Sequence, residues 1–332
     1  MRATIRPILF VVFAATGFSA LTLQVVWQRV LSLHAGIDLI AATTVVTAFM
    51  AGLGLGSLAG GALADRLGPK RSLLAFALSN AGIGLFAWFS LWLFYDVYRR
   101  FAAELDSGAA MFGFHFVLLV IPTTLMGLSL PLLARGAVAA SREIAPLVGR
   151  LYAINTLGAA VGSAVAGWWL LGVFGFVASV RIAASLNFAA ALVILLLWKR
   201  AGSEEAAAET AAAVPAGGGE RSWPWFLLYA LTGAVAIGLE VVYFRVIDAI
   251  WRNNSYTFAT VLAMYLLLFA LGTSLGARRA GRTERPDRWF LWLQFGVGAS
   301  TLLGMLVFFH PRVLGIKEFV TRYYTTGGFM HG

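Results

Sequence analysis

Among the polar or charged side chains that lie inside otherwise apolar stretches of the chain, five are candidates for chemistry: Gln24, Arg29, Asn155, Glu240 and Arg245. Ionisable groups are costly in hydrocarbon and are usually paired, or they face the interior of a helix bundle or a cavity. Glu240 can pair with Arg245 on the same helix or with Arg29 on an equivalent helix. The cluster therefore predicts either a pocket for a cationic or zwitterionic solute or an ionic contact that joins helices. For Asn155, hydrogen bonding between helices and contact with a ligand both remain open.

A second polar group lies in a short segment between two apolar runs. It comprises Gly61, Asp65, Arg66, Gly68, Lys70 and Arg71. The glycines permit a sharp turn, Asp65 can accept hydrogen bonds from a helix terminus, and the basic residues favour the cytoplasmic side. The segment resembles the loop signature of major-facilitator transporters, in which such a loop latches helices during alternating access. An ordinary cytoplasmic turn with positive charges is the alternative.

Other reactive chemistry is poorly represented in the sequence. There is no cysteine, so disulfides, thiol catalysis and cysteine-ligated metals are excluded. The four histidines are scattered, and we find no pair of catalytic carboxylates and no activated nucleophile. The sequence therefore predicts a chain that is not an enzyme and that has no metal and no cofactor.

Composition places these residues in a membrane protein. Sixty per cent of the residues are apolar and only 12% are charged, which is far from the balance of soluble domains. The net charge of +10 comes from basic residues in short loops, a pattern that indicates membrane topology and no nucleic-acid partner. Nine apolar runs are long enough to cross the bilayer: 8–33, 39–64, 72–95, 112–134, 150–172, 177–198, 224–249, 257–277 and 289–309.

Orientation follows from the basic residues. With the N-terminus inside, sixteen of the 25 Lys and Arg residues lie on the cytoplasmic side and six lie outside. The other three, Arg29, Arg181 and Arg245, lie within or at the edge of helices. We therefore expect a multi-pass protein of the bacterial inner membrane, with a cytoplasmic N-terminus and a periplasmic C-terminus.

The sequence contains an internal repeat at an offset of 216 positions. Residues 14–31 align with residues 230–247, and nine of the eighteen pairs are identical. Both copies run in the same direction, as the halves of major-facilitator proteins do. We predict a six-helix half of this type (1–198), a flexible cytoplasmic linker (199–223), a partial second repeat of three helices (224–309) and an extracytoplasmic tail (310–332).

Small residues recur four positions apart in three of the runs. They are Gly52, Gly56 and Gly60, then Gly158 and Gly162, then Gly272 and Gly276. Glycine at this spacing lets helix backbones approach closely in lipid. These positions predict close helix packing.

Four motifs in order resemble the membrane region of fused major-facilitator/spermidine-synthase-like proteins. They are GFSA with QVVWQR at 17–29, AFMAGLGLGSLAG at 48–60, PTTLMGLSLP at 122–131 and LYAINTLGAA at 151–160. The resemblance covers most of residues 8–280. It implies a membrane domain normally joined to a cytosolic aminopropyltransferase-like domain, but no such domain follows here.

Two functions agree with these patterns. The first is a membrane subunit or anchor whose last three helices are covered by a protein partner or by self-association. The second is a transporter of the major-facilitator type for a cationic or zwitterionic small solute such as a polyamine.

Overall fold

The computed structural model describes residues 2–35, 38–101, 107–138, 144–201, 223–251, 257–280, 285–310 and 315. Within them the chain is all-α, as predicted, and has no β-strand. The helices are α1 (Arg2–Ala35), α2 (Asp38–Trp92), α3 (Tyr98–Phe101), α4 (Gly108–Val138), α5 (Ile144–Val165), α6 (Leu171–Ala201), α7 (Trp223–Trp251), α8 (Thr257–Ala280) and α9 (Pro286–Phe308). Short π-helical turns, Leu93–Val97 and Ala166–Leu170, continue α2 into α3 and α5 into α6.

Seven helical stretches of the described residues are long and apolar enough to cross a membrane. The chain is therefore a multi-pass membrane protein. The sequence predicts nine apolar runs because two of the seven stretches, Ala41–Arg100 and Leu147–Trp198, each contain two runs. At 60 and 52 residues, straight helices would be about 90 and 78 Å long, whereas the hydrocarbon core is about 30 Å thick. Each stretch is interrupted at a glycine with positive φ, namely Gly68 (69°) and Gly175 (73°).

At Gly68 the helix α2 reverses direction. The ring centroid of Trp27 lies 6.0 Å from that of Phe49 and 5.7 Å from that of Phe86. Positions 49 and 86 would be about 55 Å apart in a straight helix. The two arms of α2, residues 38–67 and 69–92, therefore lie side by side as a helical hairpin. Glycine adopts the left-handed backbone at this turn without the steric penalty of a Cβ atom.

A second hairpin turns at Gly175, between α5 and most of α6. Gly162 of α5 packs against the backbone of Phe18 in α1. On the other arm, the carbonyl of Ala183 accepts a hydrogen bond of 2.8 Å from Ser19 Oγ. Positions 162 and 183 would be about 32 Å apart in a straight helix, yet both contact adjacent residues of α1. The chain therefore folds back here as well.

Helix α1 packs against α5 and α6, and α2 packs most extensively against α4. Between them lie two clusters of buried apolar side chains. One includes Trp27, Phe49 and Phe94, and the other includes Phe13 and Phe76. Lipid tails are as apolar as these side chains, so tight packing rather than water exclusion holds such helices together.

The chain divides into two compact units. One contains α1 to α6 together with Phe258–Arg278 of α8, and the other contains α7 and α9. Within the first unit α8 packs on α5, where Ala259 O accepts a hydrogen bond of 3.0 Å from Ser163 Oγ. Trp168, in the π-helical turn, donates from Nε1 to Thr260 Oγ1 at 2.9 Å. The predicted linker and C-terminal tail lie almost entirely outside the described residues.

Candidate functional site

The two candidate site residues of α1, Gln24 and Arg29, lie in different surroundings. Gln24 is buried, with 2% of its surface exposed, and Gln28 is also buried. Arg29 is partly exposed, and its backbone carbonyl accepts a hydrogen bond of 2.9 Å from Ser32 Oγ. The amide of Gln24 therefore lies within the packed bundle, while the guanidinium group of Arg29 lies nearer the end of α1.

A buried hydrogen-bond network joins α1 to α6. Asn187 Nδ2 donates to Ser19 Oγ at 2.6 Å and to the carbonyl of Ala183 at 3.0 Å. Ser19 in turn donates to the same carbonyl, and all the side-chain polar groups involved are buried. One turn further along α1, Thr22 Oγ1 donates to the carbonyl of Gly162 at 3.3 Å. Neutral groups thus link α1 to both arms of the second hairpin.

Trp27 is fully buried and connects α1 to the second arm of α2. Its indole Nε1 donates to Ser90 Oγ at 3.0 Å, and its ring lies 6.1 Å from that of Phe94 at an interplanar angle of 70°. Edge-on aromatic pairs of this kind are favourable beyond the area that they bury. The sequence motif around Trp27 therefore builds a helix contact.

Asn155 is partly buried on α5 at the closest approach of that helix to α1. A Cβ atom added to Gly17 would clash with the backbone carbonyl oxygen of Asn155 and would lie 2.8 Å from its Oδ1. Gly158 meets the backbone of Ala14 one turn away in the same interface. The predicted small-residue contacts of α5 are thus directed at α1, with Asn155 at their edge.

Glu240 and Arg245 lie on α7, where Glu240 is partly buried and Arg245 is exposed. Five residues along an α-helix correspond to a rotation of about 140°. This spacing is less favourable for an ion pair than three or four residues. The pairing of Glu240 with Arg29 would link residues of the two units and stays a prediction.

The predicted cytoplasmic loop motif forms the first hairpin turn. Gly68 supplies the positive φ, and its carbonyl accepts a hydrogen bond of 2.7 Å from Ser72 Oγ. Asp65, Arg66 and Arg71 are exposed. The contact with another helix is made by Lys70, whose Nζ lies 5.4 Å from the centroid of the Trp198 ring on α6. A Cβ atom at Gly61 would meet no described atom within 4 Å.

The glycines of the first arm of α2 are packed against α4. A Cβ atom on Gly56 would lie 2.8 Å from Gly127 Cα, and one on Gly60 would lie 3.0 Å from Leu128 Cα. Gly52 meets Thr123 in the same way. The arm and α4 therefore approach at backbone distance over two turns, as the four-residue spacing predicts.

The equivalent glycines of α8 are open. Gly272 and Gly276 correspond to Gly56 and Gly60 at the offset of 216. A Cβ atom on either would meet no described atom within 4 Å, and both residues are exposed. In the first copy of the repeat α4 therefore packs on these two glycines, whereas in the second copy no described residue packs on them.

An equivalent aromatic contact occurs in each of the two copies of the repeat. Tyr243 is equivalent to Trp27 at the same offset. Its hydroxyl donates to the carbonyl of Thr301 on α9 at 3.4 Å, and its ring lies 6.4 Å from that of Phe308. Trp27 reaches the second arm of α2, which is the run equivalent to α9. Each copy thus joins its first and third apolar runs through an aromatic side chain with a polar tip.

Neither Asn187 nor Ser90 belongs to the candidate site residues that the sequence predicts. Asn187 interrupts an otherwise apolar run, and that signal also identified Asn155. Ser90 gave no such signal, because a serine satisfies its own hydroxyl within a helix, as Ser90 does with the carbonyl of Ala87 at 2.8 Å.

Searches of protein families, curated proteins and solved structures find no match to this chain.

Proposed function

We propose that the chain is a membrane subunit or anchor of a larger assembly, itself non-catalytic, in which a further transmembrane helix packs on α8. The open face at Gly272 and Gly276 carries this proposal, because the same face in the first copy is filled by α4. The partner helix should present small residues or exposed backbone at the contact, as Thr123 and Gly127 of α4 do.

Exposure along the second copy supports the same conclusion. In the most apolar stretch of α1 56% of the residues are buried, compared with 6% in α7 and none in α9. Lipid covers such surfaces in any membrane protein. Open glycines also occur in α7 and α9, but only Gly272 and Gly276 of α8 are four residues apart and so share one face of their helix. A groove without side chains leaves a backbone surface that a helix fills better than acyl chains do.

The proposal includes nine membrane crossings with the N-terminus in the cytoplasm. The turns at Gly68 and Gly175 support this number, because each divides one of the seven long stretches into two arms. With nine crossings, the distribution of basic residues favours a C-terminal tail outside a bacterial inner membrane. The parallel repeat and the loop motif favour a bundle of the major-facilitator type.

The motif resemblance suggests what such an assembly does. Fused proteins with a similar membrane region carry an aminopropyltransferase-like domain, so a soluble synthase-like chain is one candidate for a further component. The transport of a cationic or zwitterionic solute such as a polyamine is the second candidate function. Glu240 and Arg29 would then be required for uptake by vesicles that contain the purified chain.

Mass measurement of the intact assembly tests the proposal. The chain purified from its native membrane in mild detergent should exceed the 35.6 kDa of one chain. Replacing both Gly272 and Gly276 with isoleucine should reduce the mass to that of one chain. The matched control replaces Gly296 and Gly298 of α9, which are also open, and should keep the assembly. A wild-type chain that is already monomeric would contradict the proposal.

A further inference from the structure

An open groove of about 660 Å³ runs along α6 directly after the Gly175 turn. Its described walls are mostly apolar and include Phe174, Val177 and Ile182. Val177 is 51% exposed, so this side of α6 faces the surroundings of the bundle. In a membrane those surroundings are lipid.

Arg181 is the one charged group among the groove's described lining residues, and Ser185 follows one turn later on the same wall. Arg181 is exposed, and its guanidinium carbon lies 5.4 Å from the centroid of the Trp88 ring. This cation–π contact fixes the charge against the second arm of α2. No carboxylate of the described residues forms an ion pair with it. An anionic partner would therefore offset the cost of a cation on a lipid-facing helix.

The position of Arg181 along α6 places it at the depth of lipid headgroups. It lies six residues after Gly175, or about 9 Å along the axis, and arginine side chains extend toward the membrane interface. Exposed tryptophans surround this end of the bundle, among them Trp88, Trp92 and Trp168. Tryptophan is enriched at the membrane interface.

We propose that this groove binds an anionic phospholipid. The phosphate contacts the guanidinium group of Arg181. The hydroxyl group of Ser185 donates to an ester carbonyl of the lipid, and an acyl chain runs toward the centre of the bilayer along Leu186 and Ala189. A soluble phosphate fits less well, because the apolar walls would then remain uncovered. A single cation that forms no ion pair with a carboxylate of the described residues favours a headgroup of net negative charge over one that carries its own cation. With the N-terminus in the cytoplasm, the site lies in the outer leaflet.

Native mass spectrometry of the full chain, titrated with phosphatidylglycerol or phosphatidylcholine, tests this site. We expect phosphatidylglycerol to be retained about tenfold more tightly, the effect of one charge-assisted hydrogen bond. Arg181→Gln should remove that difference. Arg181→Lys should retain part of it, because it keeps the charge and loses the planar fork. These two variants separate lipid binding from misfolding, provided that their melting temperatures match that of the wild type.

The control variant is Arg279→Gln. Arg279 lies 5.4 Å from the Trp289 ring, so this variant removes the same charge from a similar Arg–Trp pair. It should leave the preference for phosphatidylglycerol unchanged. The proposal is overturned if Arg181→Gln retains the lipid as the wild type does, or if Arg279→Gln loses it equally. Displacement of the lipid by millimolar inorganic phosphate would assign the site to a soluble anion and would also overturn it.

Discussion

Among the described residues, neutral side chains connect α1 to the helices around it. Ser19 and Thr22 bond to α6 and α5, and Trp27 bonds to the second arm of α2. Each bond uses a short or rigid side chain whose polar atom is buried with its partner. In hydrocarbon such groups find no water when a bond is lost, so the bonds specify which helices are neighbours.

Asn187 donates two buried hydrogen bonds at the contact between α1 and α6. Replacing it with alanine removes the bonds to Ser19 and to the Ala183 carbonyl, and should lower the free energy of unfolding by about 0.5 to 1.5 kcal/mol. Tryptophan fluorescence during denaturant unfolding in detergent measures the loss. The control is Thr232→Ala, because Thr232 is partly exposed and its hydroxyl donates to the carbonyl of Tyr229 within α7. An equal decrease in the free energy of unfolding in the two variants would show that the bonds of Asn187 add no stability beyond that of a bond within one helix.

Gly162 lies with its Cα atom against the backbone of Phe18. Gly162→Leu cannot be accommodated by a side-chain rotation, because the opposing atoms are backbone. We expect a loss of about 1–3 kcal/mol or more from overpacking, seen as a lower melting temperature and a broadened size-exclusion peak. Gly172→Leu adds the same side chain where a Cβ atom would meet no described atom within 4 Å, and should behave as the wild type. A Gly162→Leu protein with wild-type stability would show that α1 and α5 are not in backbone contact.

At the scale of helices, the sequence predicts position and length well and predicts partners poorly. The nine apolar runs lie in helical backbone because length and composition determine membrane helices. The following proline and the basic residues predict the turn at Gly68. At Gly175 the lengths of the runs 150–172 and 177–198 predict the break, but the surrounding residues are apolar and give no loop signal. A glycine stripe indicates that a helix packs closely, but not against which helix. The pairings of α2 with α4 and of α5 with α1 therefore needed the structure.

Hairpins at both glycines have a topological consequence that labelling can measure. The sequence lacks cysteine, so a single introduced thiol is the only one in the chain. The proposed nine crossings with a cytoplasmic N-terminus would place Arg71 inside and Ser107 outside, and both residues are exposed. In intact cells a membrane-impermeant maleimide should modify Ser107→Cys and spare Arg71→Cys, and permeabilised cells should label both. Labelling of Arg71→Cys in intact cells would contradict the proposed topology.

For the whole molecule, the contrast between the two copies is the main feature. The aromatic contact of Trp27 has its counterpart at Tyr243, so the second copy keeps the link between its first and third apolar runs. The glycine contact of α2 has no counterpart within the described residues. We therefore expect a helix that resembles α4, with small residues or exposed backbone at the contact, to pack on Gly272 and Gly276 of α8.

A second copy of this chain fits that face poorly. In the first half of the repeat, α4 is the helix that packs on the equivalent glycines. In a second molecule of this chain α4 would already be packed on its own α2 through Thr123 and Gly127, so it could not also pack on α8. A second copy could instead pair α8 with α8 around a twofold axis, through Gly272 and Gly276 on both sides. A different chain that carries an α4-like helix leaves every existing contact in place, and we expect this arrangement.

Cross-linking of Gly276→Cys in native membranes distinguishes the two arrangements. A twofold α8 pair would bring the introduced thiols together, and oxidation would give a homodimer of twice 35.6 kDa. We expect no homodimer, and a thiol-to-amine reagent should instead yield a product that contains a different chain. The control is Gly298→Cys on α9, also open, which should give neither product. An oxidised homodimer specific to Gly276→Cys would replace the partner chain with self-association, because only that arrangement places the two positions within the length of a disulfide.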